Sequence, residues 1–227
     1  MLCRAKLYLF DCHPWYSHFE ITGDNQIINP TQHSMASPEW LSRIFFHPNL
    51  NVYFRSIIKA LSPLLPKKLK LAPAGVISIK VPSQKRLKLK TNQTNYGTKV
   101  IYWMGYESFE YTPLFLQLID SVDVFFDVGA NIGYYSLLAA IEKPQMNIVA
   151  FEPATGPLHY FRENIKLNRL NNITVESLAL SDQRGSVTFY EHKNEKYPYL
   201  KYNLSGQNNA GISTDSTLFT PRQVPTI

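Results

Sequence analysis

Cysteine is nearly absent from this 227-residue chain: Cys3 and Cys12 are the whole supply, both in the first dozen residues. Two neighbouring thiols do not make a disulfide framework, so the fold has to come from a packed core. His13 and His18 lie close by, but the spacing matches no common zinc pattern and no metal site is expected. Long apolar runs are missing too. No stretch approaches the roughly 20 residues that span a bilayer. The first twenty residues scatter Arg4, Lys6, Asp11, His13 and His18 among their apolar positions, which leaves no secretory h-region. The default expectation is a cytoplasmic, soluble protein with no membrane span. Acid is missing from one segment. Residues 67–99 hold nine Lys/Arg and no Asp or Glu, so the other 14 of the 23 basic residues face all 17 acidic ones. A basic stretch of this kind can contact nucleic acid or an anionic membrane. Here Lys88 and Lys90 alternate with Leu87 and Leu89, the pattern of the wet face of a half-buried strand. That reading is preferred, and a nucleic-acid partner is not expected.

Apolar residues make up 44% of the chain, with 14 Tyr and 13 Phe, enough for the core of one domain with an N-terminal extension. The extension, residues 1–75, is interrupted by prolines and reveals no function. Residues 40–46 and 52–61 suit short amphipathic helices. From residue 76 the pattern changes. Segments 76–81 and 86–90 read as a β-hairpin, 100–104 as a further strand, and 111–118 as a helix that leads into the first central strand.

The organising stretch is residues 122–140. A short apolar run enters Asp127, Gly129 and Gly133 punctuate a turn around Asn131, and a helix-forming segment follows from Tyr134. This is the outline of a buried parallel strand, a glycine-bearing turn and a helix N-terminus, where free N–H groups and a positive dipole end meet. Residues 147–151 read as a second strand, closed by Glu152-Pro153. Glu152 lies 25 residues after Asp127, near the roughly 20-residue offset of a nucleotide-binding βαβ unit. A carboxylate there accepts both hydroxyl hydrogens of a ribose. The competing structural roles are plain: the glycines make a tight loop, Glu152 caps the next helix, and Asp127 bonds nearby backbone N–H groups. A helix over 156–170, a strand over 173–178 and a strand over 186–191 continue the alternation. The expected fold is α/β, a Rossmann-like parallel sheet with right-handed crossovers, filling residues 76–227. Its ligand belongs at the carboxyl ends of the strands.

These residues resemble a known family. Asp127-Val-Gly-Ala-Asn-Ile-Gly133 with Tyr134-Tyr135-Ser136, then Phe151-Glu152-Pro153, Asn164, Asn168, and Ala179-Leu-Ser-Asp182 with Gly185 look like an FkbM-family methyltransferase of class I. The resemblance implies S-adenosylmethionine as cofactor and, usually, methylation of a hydroxyl oxygen on a small molecule or glycan. It implies a cofactor site of Asp127, Gly129, Asn131, Gly133 and Glu152. Two further acids join with an alternative each. Asp182 either reaches the adenine amino group or is a turn former ahead of Gly185. Glu107, in a Gly-Tyr-Glu element, either touches the methionine part or is an exposed helix-start carboxylate.

The pattern fades after Glu191, where the sequence turns polar and asparagine-rich. A class I sheet places its fourth strand beside the first, and that strand is not legible here. The expectation is a sheet incomplete at the C-terminus whose first strand keeps an unpaired apolar edge. The acceptor-side groups belong in the missing part. His159 and His192 lack a partner that would make either a base, so no catalytic residue is assigned. The alternatives are a truncated, non-catalytic fragment that binds cofactor or a partner, and a dinucleotide-binding oxidoreductase. The turn's G-x-x-x-G spacing disfavours the latter against G-x-G-x-x-G.

Overall fold

A computed structural model describes residues 5–10, 38–64, 69–205 and 219–227. Cys3, Cys12, His13 and His18 lie outside the described residues. The central element is β4 (Val122–Val128), and the chain reaches it through β1 (Ala5–Phe10), α1 (Glu39–Phe45), α2 (Pro48–Leu61), β2 (Gly75–Lys80), β3 (Arg86–Thr91), α3 (Tyr96–Met104) and α4 (Thr112–Leu118). After it come α5 (Tyr134–Glu142), β5 (Asn147–Phe151), α6 (Thr155–Asn168), β6 (Ile173–Glu176), β7 (Gly185–His192) and β8 (Phe219–Thr226).

Four strands form one parallel sheet in the order β1-β4-β5-β6. The unit β4-α5-β5-α6-β6 is the strand-helix alternation read from sequence, and it gives the Rossmann-like arrangement. Helix α5 is apolar nearly all round because it is buried on nearly all sides: Leu137, Leu138, Ala139 and Ala140 are inaccessible. It shares its core with Ile77, Ile79, Leu87 and Leu89 from the inward face of the β2–β3 hairpin. The outward face of β3 carries Arg86 and Lys88 in the open and Lys90 half-buried, as the alternation predicts.

The open edge of β3 is held in an unusual way. On α6, Asn164 and Asn168 lie one turn apart and face alternate residues of that strand. The Lys88 N–H donates to Asn168 Oδ1 at 2.9 Å, and Asn168 Nδ2 donates back to the Lys88 carbonyl at 2.7 Å. Asn164 does the same with Lys90, at 2.6 and 3.3 Å. Two side-chain amides thus act as the next strand of the ladder. They satisfy an edge that would otherwise pair with another chain.

Three expectations need correction. First, β4 does not keep an unpaired edge: β1 lies parallel to it, with Lys6 opposite Val124 and Phe10 opposite Val128. The partner comes from the start of the chain, more than a hundred residues away, and no local pattern announces so distant a pairing. Second, residues 100–104 are not a strand but the end of α3. Asn95 caps that helix by accepting the Thr98 N–H at 2.8 Å, and Gly105 ends it at φ 89°. Third, the proline-bearing C-terminal segment is a strand, β8, antiparallel to β7. Pro221 and Pro225 are four residues apart, so both present the same edge. Pro225 turns its carbonyl away from β7 to the Ala179 N–H at 3.0 Å, so the N–H that each proline lacks is not one β7 needs. Among the described residues, no helix is long and apolar enough to cross a membrane.

Candidate active site at the carboxyl end of the sheet

Strands β4 and β5 end side by side, and the chain after β4 turns back over β5 rather than away from it. The N–H groups of Gly129 and Ala130 both donate to the Phe151 carbonyl, at 2.9 and 3.1 Å. That fold-back needs left-handed backbone at Gly129 (φ 77°), Asn131 (φ 52°) and Gly133 (φ 85°). Glycine adopts it without strain, and asparagine is the side chain that tolerates it best. Asn131 also steadies the bend itself, since its Oδ1 accepts the Ile132 N–H at 2.8 Å.

Glu152, first residue past β5, is 5% exposed and faces this bend. One carboxylate oxygen accepts the Asn131 N–H at 2.7 Å, and the other accepts the Ala154 N–H at 2.7 Å. The acid is therefore clamped between the glycine turn and the start of α6, with its position fixed by main chain on both sides. Asp127, 4% exposed, works on the opposite side of the turn. It receives the Ser136 N–H at 3.1 Å and the Ser136 hydroxyl at 2.5 Å. Gly133 offers α5 no side-chain cap, and Asp127 stands in for one: a negative charge against the positive end of the helix. Gly133 itself is required by packing. A Cβ there would sit 2.0 Å from Cδ2 of Phe161, whose ring from α6 fills the space.

Asp127, Gly129, Asn131, Gly133 and Glu152 thus come together at one end of the sheet. The other two residues predicted from sequence stand apart. Asp182 is exposed in the turn before β7 and accepts the Ser181 hydroxyl at 3.2 Å. Glu107 is exposed in a short 3-10 turn, where burial of the phenol and a hydrogen bond to this carboxylate both raise the pKa of Tyr106.

Several groups around the bend escaped the sequence reading. Asn95, the cap of α3, donates to Asn131 Oδ1 and to the Leu204 carbonyl, each at 3.4 Å. An asparagine just ahead of an apolar run is a helix-start signal, hidden here by reading the run as a strand. The β7–β8 hairpin ties down the entry to α6. Glu191 accepts the Thr155 N–H at 2.8 Å and its hydroxyl at 2.6 Å, and pairs with Arg222 at 2.9 Å. Arg222 in turn donates to the Pro153 carbonyl, next to Glu152. These are long-range contacts that no spacing in the sequence reveals. Between the start of α6 and this hairpin lies a cleft of about 490 Å³, lined among others by Gly156, His192, Lys201 and Tyr202. His192 packs at a tilt against Phe219 and His159 against Tyr202, at 4.6 and 4.8 Å between ring centres. Burial pushes the phenol of Tyr134, at the start of α5, far above its usual range, against a hydrogen bond with Thr112 that lowers it.

Residues 127–227 match the model of the methyltransferase FkbM domain. That stretch, 101 of the chain's 227 residues, is similar to an FkbM-family methyltransferase domain. Its relatives include the 31-O-demethyl-FK506 methyltransferase FkbM of Streptomyces tacrolimicus, 44% identical over 70 residues, which are 30% of this chain and 26% of that protein. Methyltransferase 1 of Beauveria bassiana is 33% identical over 28% of this chain and 26% of its own length. A tRNA(Phe) (4-demethylwyosine(37)-C(7)) aminocarboxypropyltransferase of Methanocaldococcus jannaschii is 37% identical over 33% and 32%. Each alignment spans between a quarter and a third of the relative's length. Wild-type Trm5b from Pyrococcus abyssi, a crystal structure, aligns over 72% of this chain and 65% of its own at 17% identity, with a TM-score of 0.29 that carries no weight for the fold. The start of the FkbM domain match coincides with Asp127, so the glycine bend and Glu152 both fall inside it.

Proposed function

We propose that this chain is an S-adenosylmethionine-dependent methyltransferase acting on a hydroxyl oxygen of a small molecule or glycan. The observation that carries the reading is Glu152: an acid at the end of the second central strand, oriented by main-chain N–H groups toward a bend with three left-handed residues. A carboxylate so placed matches the donor chemistry of a ribose diol, and a bend without a side chain at Gly129 lets backbone approach a nucleoside. The group, when bound, supplies an electrophilic methyl on a sulfonium. The chain's part is positioning. Glu152 would take the ribose, the turn Gly129–Gly133 would face the remainder of the nucleoside, and Asp127 would hold the turn by anchoring α5. Asp182 for the adenine and Glu107 for the methionine part remain proposals of the family resemblance. The polar cleft beside α6, with Glu191, Asn194 and Asn203 among its lining residues, suits a hydroxylated acceptor, whose placement relative to the donor is the main source of rate in a direct displacement.

The test is a melting experiment with S-adenosylhomocysteine. Mass action raises the melting temperature if the nucleoside binds the folded chain, by an amount set by RT ln(1 + [L]/Kd). Glu152→Gln keeps the shape, removes one acceptor oxygen and is expected to abolish the shift while the protein still melts cooperatively. A shift of the same size in the variant overturns the ribose assignment. Absence of a shift in the unaltered chain, even at millimolar nucleoside, overturns the cofactor.

A further inference from the structure

The end of α6 and the outward face of β3 enclose a second groove, of about 630 Å³, and four of its six lining residues are cations. Arg86 and Lys88 form one wall from the strand, and Lys166 and Arg169 form the other from the helix, with Asn168 between them. All four cations are exposed. Asn168 exchanges two hydrogen bonds with the backbone of Lys88, so the walls are held in register without any ligand. Little acid answers this charge. Among the described residues, no carboxylate pairs with Arg86, Lys88 or Arg169. Glu163 is the nearby acid, and it is shared between Lys90 at 3.6 Å and Lys166 at 3.5 Å. Two features of the groove work against the fold. Lys80 stands directly opposite Arg86 on the same outward face of the hairpin, and like charges so placed repel. Arg169 ends α6 in left-handed backbone at φ 56°, where glycine is the usual residue.

The alternation of β3 explains why Lys88 is wet, and the negative end of the α6 dipole favours Lys166 and Arg169. Neither explains why the two sets of cations face one another across a groove. A polyanion answers both. Arg86 and Lys88, two residues apart on an extended strand, repeat at about 7 Å. Arg162, Lys166 and Arg169 repeat along one exposed side of α6 at spacings of four and three. Regularly spaced cations suit regularly spaced anions, and the guanidinium forks of Arg86 and Arg169 match phosphate oxygens two at a time. Leu167, half-buried, is the one apolar residue in the lining, so the groove offers a bilayer nothing to insert. No aromatic residue lines it, so unpaired bases find no stacking platform. We propose that this groove binds the phosphodiester backbone of a nucleic-acid duplex, without reading its sequence. The groove lies at the far end of α6 from Glu152 and Ala154, about 20 Å away along a helix of 14 residues. The proposal therefore goes beyond the methyl-transfer reading and does not depend on it.

The experiment uses the whole chain and a short fluorescein-labelled DNA duplex of mixed sequence, followed by fluorescence anisotropy. Four phosphate contacts predict a plot of log K against log salt with a slope of about −3.6. Arg86→Gln with Lys88→Gln removes two contacts, so the slope should become shallower by about 1.8 and affinity should fall about tenfold or more. Lys166→Gln with Arg169→Gln tests the other wall and should do the same. Arg184→Gln with Lys196→Gln removes equal charge from exposed positions that do not line the groove, and should change affinity far less. Melting is measured in parallel. Arg86→Gln alone relieves the repulsion from Lys80 and should not lower the melting temperature. Three outcomes overturn the proposal. The unaltered chain fails to bind the duplex at about 50 mM salt. The groove variants lose no more affinity than the variant at 184 and 196, leaving net charge alone responsible. Or poly-glutamate displaces the labelled duplex as well as unlabelled duplex does, which makes the groove a site for any acidic chain.

Discussion

Gly133 offers the sharpest test of how this site is built, because its neighbour explains it without any ligand. A side chain there meets two penalties. Left-handed backbone at φ 85° costs an alanine about 1–2 kcal/mol. Its Cβ would also overlap the Phe161 ring at 2.0 Å, and forcing an extra carbon into a packed core costs about 1–3 kcal/mol. Gly133→Ala should therefore destabilise the chain by about 2–5 kcal/mol. Phe161 is fully buried, and Phe161→Ala should cost about 3–5 kcal/mol, the usual range for truncating a core aromatic. The two changes together should not add. Alanine at 161 removes every atom that the new Cβ would meet, so the double variant should be about 1–3 kcal/mol more stable than the sum of the singles predicts, with the backbone strain left over. Urea unfolding of the four proteins, followed by circular dichroism, yields the cycle directly. Additivity within about 0.5 kcal/mol would refute the packing role and return Gly133 to the ligand.

The remaining predictions concern the contacts that fasten the site to the fold. Asn164→Ala removes three hydrogen bonds from a fully buried amide, to Lys90 N–H, Lys90 carbonyl and the Ile132 carbonyl, and should cost about 2–3 kcal/mol. Hydrogen exchange at the Lys90 amide should accelerate in that variant; unchanged protection would mean that β3 does not rely on α6. Glu191 is pulled two ways, burial raising its pKa and the Thr155 and Arg222 hydrogen bonds lowering it, with the lowering dominant. A depressed folded-state pKa contributes stability above the unfolded value of 4.5 that is lost as pH falls through the folded one. Urea midpoints measured over roughly pH 3 to 6 should therefore slope less in Glu191→Gln than in the unaltered chain, and parallel slopes would dismiss the contribution.

The sequence alone fixed the central unit. Buried parallel strands are continuous apolar runs, so residues 122–128 and 147–151 announced themselves, and the helices between them followed from apolar periodicity. The gathering of Gly129, Asn131 and Glu152 at one end was also legible, since a strand, a turn and a second strand of these lengths can only close one way. What lay beyond local pattern needed the folded chain. Strand β1 fills the edge of β4 from the far end of the sequence, and β8 pairs with β7 despite two prolines, because their position in the register rather than their identity decides what they cost. The two asparagines of α6 were noticed as a family feature, but their work as a substitute strand depends on a hairpin 74 to 80 residues earlier in the chain. Helix α2 makes the same point in reverse. Its apolar residues suggested burial, yet the fold buries Asn51 and Arg55 instead, because those side chains satisfy the main chain of β2 and the loop before it. Periodicity reveals that a helix has two faces, and only the partners brought by tertiary structure determine which face turns inward.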